Sequence, residues 1–399
     1  MQKKNNTLNV PNLRFPGFED EWNNTRLGEI AYFTKGKGIS KSDIDESGNI
    51  ECIRYGELYT HYGELIDEIK SRTYKNNLSL VLSESNDVII PASGETTIDI
   101  ATASCVLKSG VALGGDLNII KTKNDGVFLS FYLNSKKKME IANLAQGISV
   151  VHLYSSQLAS LSLNLPEIDE QNKISNFLTL LNKRIDTQSK IIEQLITLIQ
   201  EYRNQIFKQK IRFKGFNSDW EEKTLNEIAT FYSGGTPLTS RREFFDGDIP
   251  FIRSGEINSD KTEQFISESG LKNSSAKMVE VGDILYALYG ATSGQVGLSK
   301  IKGAINQAVL CIKSSENHYF IYSYLFHKKE TIINTYLQGG QGNLSAEIVK
   351  QVKVPVPPLI EQEKVASFLF KVDQKIQTEK TILEYYKNQK KYLLQQMFI

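Results

Sequence analysis

The chain has 399 residues, 40% of them hydrophobic and 23% charged, which gives room for two or three domains with real cores. With 47 basic residues against 46 acidic ones, any grip on a polyanion must come from charge gathered on one face, because the net charge is only +1. There is no apolar run long enough to span a bilayer, and the first lysines lead into no apolar stretch, so the composition argues against a membrane span or secretory signal and for a cytoplasmic protein.

In chain order, residues 1–12 are polar and read as a flexible arm ahead of a globule that extends to residue 165. This globule mixes short β-like runs, such as Ile89-Ile90 and Asn118–Ile120, with Gly, Ser, Thr and Asn clusters. A helix is expected over Phe128–Ser135, and the whole reads as α+β. Residues 166–209 then form a long helical spacer. It opens with Pro166, Glu167, Asp169 and Glu170, and proline and carboxylates both favour a helix N-terminus.

The spacer carries Ile174, Leu178, Leu181, Ile185, Gln188, Ile192, Leu195, Ile199, Tyr202 and Ile206 at alternating steps of four and three, a heptad seam. Residues 210–356 form a second α+β globule with β-like runs at Gly282–Tyr286 and Ala308–Ile312 and a helix at Tyr319–Phe326. Residues 357–399 form a second spacer, opened by Pro357, Pro358, Glu361 and Glu363. Its seam is Val365, Leu369, Val372, Ile376, Glu379, Leu383, Tyr386, Lys390, Leu393 and Met397.

The second half restates the first. RFPGFEDEWNNTRLGEIAYFTKG at 14–36 returns as RFKGFNSDWEEKTLNEIATFYSG at 212–234, and PEIDEQNKISNFL at 166–178 returns as PPLIEQEKVASFL at 357–369. A unit this large is a duplicated domain, and two copies in one chain act like a two-fold dimer. Helices of this length with one narrow apolar seam need partner helices, and the shortest connection pairs them antiparallel. The expected fold is therefore two α+β globules related by a pseudo-two-fold axis and separated by two long antiparallel coiled-coil helices.

Within this repeated frame the loops diverge. After the shared Phe33/Phe231 strand come TKGKGISKSD in one copy and YSGGTPLTSRREFFDGD in the other, and after the shared Ile53–Glu57 and Ile252–Glu256 elements the copies part again. The loops at 91–104 and 287–299 align through Gly94/Gly290 and Thr96/Thr292, and the last variable stretches are 145–156 and 337–347. Glycine permits close backbone approach, while hydroxyl, amide and cationic side chains contact phosphates and base edges. The candidate DNA-contacting residues are Lys35, Lys37, Lys41, Thr96 and Thr97 in the first globule, and Thr236, Arg241, Arg242, Thr292, Ser293, Gln295, Gln341 and Asn343 in the second.

No catalytic constellation stands out. Gly36-Lys37-Gly38 lacks the earlier glycine and following hydroxyl of a phosphate-binding loop, and PVPPL at 355–359 lacks the polar and aromatic ends of a methyltransferase loop. His61, His152, His318 and His327 have no metal spacing, and Cys52, Cys105 and Cys311 are too scattered for a zinc site or disulfide framework.

The chain resembles the specificity subunit of type I restriction–modification systems over nearly its whole length. The resemblance rests on Leu13–Phe18 with Trp22, then Pro166, Glu170, Gln171, Phe177 and Leu178. In the second half it rests on Arg212–Phe216 with Trp220, Gly235-Thr236-Pro237, Ile305-Asn306-Gln307, Pro357, Glu361, Gln362, Phe368 and Leu369. The first copy departs in having Gly36-Lys37-Gly38 for the Gly-Thr-Pro turn and Leu117-Asn118 with no following Gln.

The resemblance implies two target recognition domains, each reading half of a split, asymmetric sequence in double-stranded DNA. It implies helices that set the spacing and dock two modification subunits, joined by two ATP-driven restriction subunits. No cofactor is expected in this chain; S-adenosylmethionine, ATP and Mg²⁺ belong to those partners. The rival readings are a solitary tandem DNA-binding regulator and a coiled-coil protein-binding scaffold.

Overall fold

The computed structural model of the chain describes residues 9–75, 80–336 and 343–399. It divides into two compact units, residues 1–189 with 382–399, and residues 190–381. The division falls inside the two long helices and not at their ends, because the two halves of each helix belong to different hydrophobic cores.

In the first unit, a five-stranded sheet runs in the order Ala31–Lys35, Leu117–Thr122, Asp87–Pro91, Ser104–Val106 and Leu65–Ile66. All its pairs are antiparallel except the last. Alternation along Asp87–Pro91 sends Val88 and Ile90 to one face, where they meet Phe128, Leu129 and Tyr132 of the helix Gly126–Ser135. Ile89 and Ile119 face the other way, onto Ile53 and Leu113 of a four-stranded sheet ordered Ser71–Thr73, Ile50–Ile53, Ala112–Leu113, Val81–Leu82.

The second unit repeats the plan with strands ordered Ala229–Ser233, Val309–Ser314, Ile284–Ala287 and Val296–Leu298. Its other sheet is ordered Phe265–Ile266, Ile249–Ile252, Gly303–Ile305 and Lys277–Val279, and its helix runs His318–Tyr336. The expected strand at Gly282–Tyr286 begins two residues later. Gly282 has φ +90°, and the Asp283 carboxylate turns back to accept from the Glu280 N–H at 2.8 Å and pair with Lys313 at 3.0 Å.

The long helices run Ile168–Phe207 and Leu359–Gln396, 40 and 38 residues. Their seam residues are buried or half-buried, and within each unit the paired segments run in opposite directions. In the first unit the Arg184 guanidinium lies 4.8 Å from the Tyr386 ring, while Asn182 and Lys390 share Glu64. In the second unit Arg203 pairs with Asp373, and Arg212, just past the helix end, pairs with Glu361.

Each helix end is an anchor. Phe398 is 1% exposed in the first unit's core, stacked on Tyr132 with ring centroids 5.5 Å apart, and the Tyr132 hydroxyl donates to the Ile399 carbonyl at 2.9 Å. Phe207 anchors the first helix in the second unit's core, edge-on to Phe320 at 5.6 Å and Tyr324 at 5.2 Å. The repeated Gln-x-Phe at 205–207 and 396–398 was the sequence signal for this pair.

The repeated motifs are joints. Arg14 clasps Glu170 with two hydrogen bonds of 2.7 Å, and Arg212 clasps Glu361 at 2.9 and 2.7 Å. Gln171 accepts from the Asp125 N–H and donates to the Pro166 carbonyl, as Gln362 accepts from the Asn317 N–H and donates to the Pro357 carbonyl. Arg54–Glu57 and Arg253–Glu256 close the same tight turn in both units. Of the expected flexible arm, residues 1–8 lie outside the described residues. Residues 9–12 are tied down: the Asn9 carbonyl accepts from the Trp22 N–H at 2.9 Å, and the Asn12 side chain donates to Gln396 at 3.2 Å.

Candidate nucleic-acid interface

Strand pairing gathers loops far apart in sequence at one end of the main sheet in each unit. In the first, the Gly36 N–H donates to the Leu117 carbonyl, Lys37 N–H to Leu113, Ala92 N–H to Asp116, and Leu153 N–H to Ala92. Val151-His152 pairs antiparallel with Ser93-Gly94, which joins the last variable stretch to the loop bearing Thr96 and Thr97. Gly147, at φ +135°, lets the chain turn where a Cβ would strike the Val150 carbonyl, and Ile148 stands fully exposed at that tip.

The second unit builds the corresponding cluster. The Gly234 N–H donates to the Asn306 carbonyl, Leu288 N–H to Ala308, and Leu344 N–H to Leu288. A Cβ at Gly234 would collide with the Ile305 carbonyl, as one at Gly36 would with Gly114, so both positions need glycine for close approach.

The candidate residues divide by role. Lys35, Lys37, Thr97 and Asn343 are exposed beside these clusters. Thr96 caps the short helix Thr97–Ile100, accepting from the Asp99 N–H at 3.1 Å and donating to its carboxylate at 2.7 Å. Thr236 donates to Gln307 at 2.7 Å, and Ser293 to the Leu288 carbonyl at 3.0 Å, so both hydroxyls hold loop shape. Thr292 ends the short turn Gly290–Thr292, and Gln295 is half-buried, with its carbonyl accepting from the Ala287 N–H. Lys41, Arg241 and Arg242 are exposed. Lys41 sits on the turn Lys41–Asp43, Arg241 lies 5.4 Å from the Phe244 ring, and Arg242–Phe244 packs on the helix Glu268–Lys272. Gln341 lies outside the described residues.

One alignment is corrected. Asn306 does not correspond to Asn118: pairing places Asn118 opposite Lys35 and Leu310 opposite Ser233, so Asn118 matches Leu310. Asn118 is fully buried and donates to the Leu153 carbonyl at 2.9 Å. The unpaired sequence hid this because a strand interior and a loop carried the same residue type.

Other chemistry is muted. Burial pushes the Cys105 thiol up to about 12 and the Cys52 and Cys311 thiols up to about 11, which disfavours thiolate. His318 bonds the Gly282 and Ser314 carbonyls, and His152 is exposed, stacked on Tyr154. Among the described residues no metal-ligating cluster forms, and no helix is long and apolar enough to cross a membrane.

The sequence profile of the Type I restriction modification DNA specificity domain matches residues 19–197 and again 217–385, one copy for each repeat. The chain belongs to this family. The likeness of these specificity domains to known proteins extends over the whole chain. The type I restriction enzyme MjaVIII specificity subunit of Methanocaldococcus jannaschii is 23% identical over 98% of this chain and 95% of its own length. The MjaIX specificity subunit of the same organism is 29% identical over 43% of each. The fold is that of the type I restriction–modification S subunit from M. genitalium, with a TM-score of 0.69 at 20% identity, covering 98% of this chain and 99% of that one.

Proposed function

We propose that this chain is the DNA-reading, non-catalytic subunit of a type I restriction–modification complex, each specificity domain engaging one half of a split target. The observation that carries this reading is the duplicated loop cluster: the same frame twice, each with its own set of polar, glycine-spaced loops at the same end of the sheet. Divergent loops on a repeated frame suit two different half-sites, and joining them in one chain makes binding depend on both. The paired helices serve as spacer and as the platform for two modification subunits, to which two restriction subunits add. Those partners carry S-adenosylmethionine, ATP and Mg²⁺, and take the flipped base into their own pockets. This chain supplies address and grip.

The test is methylome sequencing of a host carrying the partner genes and either the natural chain or Gln295→Ala. Removing a base-reading side chain relaxes one position at roughly 1–3 kcal/mol. One base of the second domain's half-site should relax while the first domain's half-site stays unchanged. Altered bases in the other half-site, or adenine methylation by the purified chain alone, would sink the proposal.

A further inference from the structure

One corner of the first unit carries charge that its fold does not require. An open hollow of about 390 Å³ lies between the last turns of the second long helix and the end of the helix Gly126–Ser135. Lys136, Lys387, Lys390 and Lys391 line it, with Glu64 as the one carboxylate. Lys390 is engaged: its Nζ donates to both Glu64 oxygens at 2.8 and 3.0 Å and lies 5.6 Å from the Phe131 ring. Lys387 pairs with Glu384 on the exposed helix surface at 3.0 Å, while Lys136 and Lys391 form no ion pair with any described residue.

The duplicated frame supplies an internal control. The positions in the first long helix that match Lys387, Lys390 and Lys391 are Ile196, Ile199 and Gln200, and Ile199 is buried in the second unit's core. The same architecture thus forms without lysine here. The helix dipole does not account for the group either, since it acts within the last turn and Lys387 lies about two turns before the helix end. Beside the hollow, the helix Gly126–Ser135 touches the far end of the 91–104 segment. Asn134, next to Ser135, holds the backbone of Ala103 through bonds of 2.9 and 2.6 Å, and Ala103 closes the loop that carries Thr96 and Thr97.

We infer that this hollow binds backbone phosphate of duplex DNA beside the half-site engaged by the first domain, an inference that rests on the DNA-binding reading above. Lysine ammonium groups are compact point charges that grip phosphodiester oxygens and carry no base information. The second domain keeps Lys328 at the position matching Lys136 but has no lysine at the three matching positions of its long helix, so the hollow in this form belongs to the first domain.

The experiment uses the full chain and a random-sequence duplex as probe, with affinity measured across a salt series. In the combined variant Lys136→Ala, Lys387→Ala, Lys391→Ala, the slope of log affinity against log salt becomes shallower by about 0.9 for each phosphate no longer neutralised. The matching Lys→Arg variant restores the slope, which separates charge from any loss of folding. If the natural chain binds the duplex and the alanine variant keeps its slope, the hollow is not a DNA site while the DNA-binding reading stands. If the natural chain binds no duplex at all, that reading falls and the site falls with it.

Discussion

The residues most visible in the sequence repeat are the ones that hold the fold. Glu361 is 1% exposed and accepts from Arg212 twice and from the Trp220 indole at 3.2 Å. That bonding raises the Arg212 pKa above its ordinary value. Arg212→Ala would strand a buried carboxylate, and because the guanidinium is partly exposed the destabilisation should be about 3 kcal/mol, the low end for breaking such a pair. Urea unfolding checks it, and Glu361→Gln should do less harm. A second residue links folding to pH. His327 stacks on Phe207 at 5.6 Å, and burial, then Lys328, Lys208 and Arg203, hold its pKa below the ordinary 6.5. The folded state therefore binds fewer protons at this ring than the unfolded chain. Its contribution is complete above about pH 6.5 and declines as pH falls toward the folded pKa. His327→Phe should flatten the fall in stability between pH 7.5 and 5.5, measured by urea midpoints at buffers of about those values.

At the scale of elements, the heptad steps made both helices legible, and their seams are buried as the pattern requires. What the pattern left open was where the helices end and what receives them. Phe398 sits among Trp22, Phe128 and Tyr132, so the residues just past the second helix complete the first unit's core. Phe398→Ala should cost about 3–5 kcal/mol, the range for truncating a buried aromatic. The two units give separate unfolding transitions or a biphasic curve in this variant if the effect is local, which differential scanning calorimetry reads directly. An unshifted first transition would mean the terminal residues are not part of that core.

For the whole molecule, the proposed spacer role turns on helix length. Both helices pass from one compact unit into the other at Ser189 and Thr381, so a ruler experiment must lengthen both together and keep the seam in phase. One heptad inserted after Ser189 and another after Thr381 adds about 10 Å to each helix. The gap between half-sites should grow by about three base pairs at roughly 3.4 Å each, with the half-sites themselves unchanged. Methylome sequencing of the doubly inserted variant reports the new gap, and an unchanged gap would refute the spacer role.

Duplication, helix length, α+β content and family were all readable from the chain, because they depend on periodicity and on recurrence along one dimension. Tertiary structure decided which loops share a surface and which side chains remain free to act there. Thr96, Thr236 and Ser293 have the residue types of DNA-binding groups, yet their hydroxyls are engaged in capping or loop bonds. Arg241 has the right charge and lies over the Phe244 ring, while Lys41 sits on the turn Lys41–Asp43. The lysine hollow joins residues near 136 and near 390. Phe398 reaches the core beside Tyr132, whose hydroxyl bonds a carbonyl 267 positions further along the chain. Composition and spacing carry no information on such meetings. Hydrogen-bond partners and neighbours across a fold are set by strand register and helix pairing, and those exist only once the chain has closed on itself.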